Sequence, residues 1–121
     1  MEIYTIQLAK WRLLEGTDIE LVNITLGSGD PTFAPSPALL ADYKAGRASQ
    51  DVYLDEFYRL CRMRYRHNPG PWHALLTKAK IAVACYCPKD GFCHRHPFVD
   101  IMIKIGASQG VIVEYCGEIT L

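Results

Sequence analysis

Between residues 80 and 115 the chain reads as one strand–helix–strand unit, which restricts the available folds more than any other stretch. Ile81, Ala82, Val83 and Ala84 run on into Cys85-Tyr86-Cys87 without a charge, as expected of a strand covered by other elements on both faces. A turn follows at 88–92, Cys93-His94-Arg95-His96 opens an amphipathic helix, and a second apolar run, 111–115, comes after Gly110. Strands joined through a helix in this way lie parallel. In an open parallel sheet ligands bind beyond the carboxyl ends of the strands, where helix N-termini present unpaired N–H groups and partial positive charge. Three cysteines, two histidines and an arginine fall at that edge, between Cys85 and His96.

The rest of the composition narrows the class. The chain has 121 residues, half of them apolar and a fifth charged, which suits a single α/β domain over 1–121. Thirteen basic residues balance thirteen acidic ones, so the basic excess of a dedicated nucleic-acid or membrane-surface binder is missing. No run is long and apolar enough for a membrane span, and the start, Met1-Glu2-Ile3-Tyr4, lacks a basic leader. The expected location is therefore cytoplasmic. In that setting the five cysteines, an odd number, read as thiols, metal ligands or core fillers rather than a disulfide framework.

Taken in order, 2–9 predicts a first strand, 10–16 a short helical turn stopped by Gly16, and 18–26 a second strand between Gly16 and Gly27. The loop 27–37 holds Gly27, Gly29 and three prolines, and long loops in compact domains are often functional. Ser36-Pro37 predicts a helix through Tyr43 that Gly46 ends, and Ser49 caps a second helix reaching Asn68. On the second helix Tyr53, Leu54, Phe57, Leu60 and Cys61 form an apolar stripe, with Arg59, Arg62 and Arg66 opposite as a solvated face or an anion patch. Arg64 falls inside the stripe, so it must snorkel, pair with an acid or reach a pocket. Pro71 begins a short helix with Trp72, Leu75, Leu76 and Ala79 inward and His73 in solvent.

Cys85 and Cys87 share one strand face. Cys93 stands where a helix dipole would favour a thiolate. His94 projects to the buried helix face and His96 outward, while Arg95 is placed to hold a phosphate or carboxylate through two parallel hydrogen bonds. Four readings compete. Zinc would take Cys85, Cys87, Cys93 and His94, although the spacing of paired cysteines is not the usual one. Covalent catalysis would use Cys93 or Cys87 as nucleophile with His94 as base; the phosphatase pattern Cys-x5-Arg fails, because Cys93 and Gly91 occupy the arginine positions. Binding without turnover would use the helix N-terminus and Arg95. Plain core packing is the fourth.

Ala84-Cys85-Tyr86-Cys87 followed by Phe92-Cys93-His94-Arg95-His96, with the opening Ile3-Tyr4-Thr5-Ile6 strand and a tyrosine- and arginine-rich middle helix, resembles the uncharacterised family known as domain of unknown function 488. The resemblance runs over nearly the whole chain, and Cys93-His94-Arg95 is its most specific part. It implies a compact α/β domain from bacteria or their phages and supplies no activity. The chain departs from many relatives after its second strand, where Asn23-Ile24-Thr25 and Gly27-Ser28-Gly29-Asp30 replace an aspartate and arginine before a proline.

The expected architecture is a three-layer α/β domain with a small, mainly parallel sheet flanked by helices. Parallel strands would bring Lys10, Trp11 and Arg12, then Ser28, Gly29 and Asp30, then Cys87 to Arg95 to one edge. Trp11 or Phe33 could stack a base, Arg64 could reach the pocket, and Arg95 could take a phosphate. The leading expectation is a binding domain for a small anionic, nucleotide-derived molecule, in a phage a protein that sequesters a host nucleotide signal, with no cofactor and with homo-oligomerisation left open. The alternatives are a hydrolase or transferase acting through Cys93, His94 or Asp30, and a DNA-associated accessory protein using Arg59, Arg62 and Arg66.

Overall fold

A computed structural model describes residues 1–86 and 94–121. Four strands, β1 (Glu2–Gln7), β2 (Glu20–Asn23), β3 (Lys80–Cys85) and β4 (Glu114–Ile119), form one sheet in the order β2-β3-β1-β4. Every pairing is parallel. β3 is interior, and Ile81 through Cys85 are all fully buried, which explains the uninterrupted apolar run.

Helices cover the two faces unequally. Ser36 and Ser49 accept hydrogen bonds from Leu39 N and Val52 N and so cap α1 (Pro37–Lys44) and α2 (Gln50–His67). These two helices, α3 (Gly70–Leu76) and α4 (Arg95–Ser108) contribute Leu39, Phe57, Trp72, Phe98 and Met102 to one large core over Ile3, Val22, Ile81 and Val83. The opposite face carries Ile6, Ala82 and Ala84, covered by the short 3-10 segment Leu8–Leu14 through Leu8 and Leu14. The result is the three-layer α/β arrangement, with one thick and one thin helical layer.

Two strands differ from their sequence expectation. β2 stops at Asn23 rather than near residue 26, because the Asn23 side chain turns back to accept from Thr25 N at 3.0 Å, a local bond that competes with the ladder. β4 begins at Glu114, where Glu114 N donates to Met1 O at 2.9 Å; the apolar run before it serves to pack Val111 and Val113 against the core. Along β4, Ile3 pairs with Tyr115 but Thr5 with Glu118, so one extra residue is accommodated. Gly117, at φ +104, lies within that bulge. The extra residue returns Glu118 to the sheet face that Thr5 shares with Cys85, under the α layer.

Candidate functional site

Beyond the carboxyl end of β2 the chain folds into a chain of hydroxyl and amide groups. Thr25 Oγ1 donates to Asn23 Oδ1 at 2.6 Å and lies 2.6 Å from Ser28 Oγ. Ser28 Oγ also receives Asn23 Nδ2 at 3.2 Å and lies 3.0 Å from the Tyr86 hydroxyl, at the end of β3. Gly29 makes the turn possible through space: a Cβ there would stand 2.6 Å from Asn23 Oδ1 and 2.7 Å from Thr25 N. Asp30 Oδ1 accepts from Thr32 N at 2.9 Å, and Arg64 reaches across to donate to the carbonyls of Thr32 at 3.1 Å and Ala34 at 2.5 Å. Arg64 thus neither snorkels nor meets an acid; it braces the loop.

Beside this network a cavity of about 190 Å³ opens between the β2 and β3 ends and helices α1 and α2. Thr25, Cys85, Tyr86 and His94 line the sheet side; Leu40, Tyr43, Lys44 and Tyr53 line the helical side, with Leu26 and Pro35 between. Tyr43 and Tyr53 tilt against each other with centroids 4.9 Å apart. Lys44 is exposed.

His94, just ahead of α4, is buried and its Nε2 donates to the Ile24 carbonyl at 2.6 Å. Burial pulls its pKa down to about 4, opposed by the Ile24 bond, so at neutral pH the ring is uncharged with its proton on Nε2. Arg95 is fully buried. Its Nε and Nη2 donate to the two Glu118 carboxylate oxygens at 3.2 and 3.3 Å, and Nη1 to Cys85 Sγ at 3.0 Å. The two-pronged grip expected of Arg95 exists, and it closes on a carboxylate of the protein itself.

The other residues expected at the site disperse. Lys10, Trp11 and Arg12 sit in the 3-10 segment over the opposite sheet face, with Arg12 5.3 Å over the Trp11 ring and Lys10 Nζ donating to Thr120 at 3.0 Å. Phe33 corrects the expectation of a base-stacking ring: it is 3% exposed and packs edge-on to Trp72 and Phe98. His73 is not free in solvent, since its Nε2 meets the Tyr65 hydroxyl at 2.8 Å. Cys87 and Cys93, candidate nucleophiles and zinc ligands, lie outside the described residues. Cys85 is disulfide-bonded, whereas the sequence reads the five cysteines as thiols, metal ligands or core fillers. Cys61 is buried, and that burial raises its pKa to about 12, leaving it an inert thiol. Among the described residues no three His, Cys, Asp or Glu side chains gather as a metal site, and no helix is long and apolar enough to cross a membrane. Arg59 on α2 pairs with Asp55 at 3.4 Å.

Tyr43, Tyr53 and Thr25 were missed by sequence reading. The tyrosines carried ordinary helical periodicity, and only the approach of α1 to α2 turns them toward one hollow. The molecule is thus an α/β domain with a fully parallel sheet and a hollow at the sheet's carboxyl edge. Residues 28–106 match the family model DUF488-N3a, described as the active DUF488-N3 subclade, and the chain belongs to this DUF488 family. Neither a curated protein nor a solved structure matches it significantly. The matched span carries the loop from Ser28, α1 to α3, β3 and α4 as far as Gly106, hence most of the cavity wall.

Proposed function

We propose that this chain is a binding domain for a small nucleoside- or nucleotide-type ligand, with the ring of the ligand among Tyr43, Tyr53 and Tyr86 and its anionic part turned toward Lys44. The cavity carries the reading: it is aromatic-walled, holds a few polar groups and opens at the sheet edge where such ligands bind. At about 190 Å³ it is smaller than the roughly 300–1,000 Å³ of sites for drug-sized molecules, which suits one ring system with the remainder outside. Binding without turnover is what sequestration of a host nucleotide signal would require. The second reading, a hydrolase or transferase on the same ligand type, is favoured by the description of the subclade as active.

A thermal-shift screen over nucleosides, nucleotides and cyclic nucleotides, followed by chromatographic recovery of each ligand, tests both. A raised melting temperature with intact ligand supports binding, and altered ligand supports the enzyme. Tyr43→Ala is expected to abolish the shift. No shift with any compound, or an undiminished shift in that variant, would remove the reading.

A further inference from the structure

The direction of every proton in the Asn23–Tyr86 network can be worked out from the heavy atoms alone. The Thr25 backbone N–H, a donor only, points at the Asn23 side chain at 3.0 Å, so the atom it meets is the amide oxygen and the amide orientation is fixed. Asn23 Oδ1 cannot donate, so at 2.6 Å the Thr25 hydroxyl must give its single proton to it. Ser28 Oγ, 2.6 Å from Thr25 Oγ1, must then be the donor in that pair. With its one proton spent, Ser28 can only accept from Asn23 Nδ2 at 3.2 Å and from the Tyr86 hydroxyl at 3.0 Å. The Tyr86 proton is therefore directed into the protein, along a chain in which each bond polarises the next. Thr25 is 3% exposed, which keeps water from reversing its bond.

Tyr86 lines the cavity and is 68% exposed. We infer that Tyr86 is a specificity-determining residue whose oxygen presents only lone pairs to the cavity, so that the site selects a ring bearing an N–H donor, such as a nucleobase with an exocyclic amino group, over one bearing a carbonyl there. The inference rests on the nucleoside reading of the cavity. An acceptor brought to an acceptor-only oxygen leaves both groups unpaired, which is the basis of strong polar discrimination.

The test compares matched pairs, cytidine with uridine and adenosine with inosine, by titration calorimetry on the full chain. The amino member of each pair is expected to bind on the order of tenfold tighter or more, and Tyr86→Phe to erase that preference while leaving the fold intact. Equal affinities within the pairs, or a preference that survives Tyr86→Phe, would overturn the inference while leaving the nucleoside reading in place. Failure of all four nucleosides to bind would count against that reading, and the proton assignment is then judged without ligand. The Thr25 hydroxyl proton is expected as a slowly exchanging resonance that Asn23→Ala abolishes; a rapidly exchanging proton in the unmodified protein would overturn the inference directly.

Discussion

Two side chains next to each other in sequence, His94 and Arg95, are both buried but handle charge in opposite ways. His94 stays neutral, because burial penalises the imidazolium by more than the Ile24 carbonyl, which would favour the charged ring, can offset. Its folded pKa, about 4, lies below the ordinary 6.5, so between those values the unfolded chain binds more protons and stability falls as pH falls. The loss is expected to begin near pH 6.5 and to reach about 3 kcal/mol by pH 4. Urea denaturation across that range should show the slope, and His94→Gln should flatten it. Arg95 remains charged and is held by Glu118, whose side chain is 15% exposed. Glu118→Gln leaves the guanidinium buried with its carboxylate partner gone and should cost about 3–5 kcal/mol. The double change Arg95→Met with Glu118→Leu should recover a large part of that loss, read from the same denaturation midpoints.

At the scale of elements, the pairing of Arg95 with Glu118 depends on a fault in β4. The single extra residue between Tyr115 and Glu118 keeps both on the same sheet face; Tyr115 bonds Thr5 Oγ1 at 2.7 Å and Glu118 bonds Arg95. Gly117 occupies the bulge at positive φ, where a β-branched residue is strained. Gly117→Val is expected to cost about 1–3 kcal/mol, and deletion of Gly117 to cost more, because it would turn Glu118 away from α4. Comparing the melting temperatures of the two variants checks this. Nothing in the sequence around Gly117 signals a bulge: the expected strand ended at residue 115, before the glycine. The helix starts, by contrast, were legible from Ser36-Pro37 and Ser49, because capping is a local property of a few consecutive residues.

For the whole molecule, the thin layer of 3-10 segment on one face and the four helices on the other decide on which side of the sheet the cavity lies. Lys10, Trp11 and Arg12 go with the thin layer and the cavity goes with the thick one, so residues that all follow strand ends part company across the sheet. Thirteen acidic residues balance thirteen basic ones over the chain, and Arg59 on the outer face of α2 is paired with Asp55. Fluorescence anisotropy with duplex DNA is expected to show no binding at physiological salt. Tight binding that weakens steeply as salt rises would instead make Arg59, Arg62 and Arg66 a nucleic-acid surface.

The amino-acid order alone determined the parallel α/β class, the capped helices, the buried central strand and the inward turn of His94, since each follows from periodicity or from chemistry within one turn of the chain. It did not determine that Arg95 would meet Glu118, that Phe33 would join the core, or that Tyr43, Tyr53 and Tyr86 would share a hollow. Those outcomes belong to packing: they depend on the register of β4, on the crossing of α1 over α2 and on which face of the sheet each connection takes, and no short stretch of sequence encodes any of them.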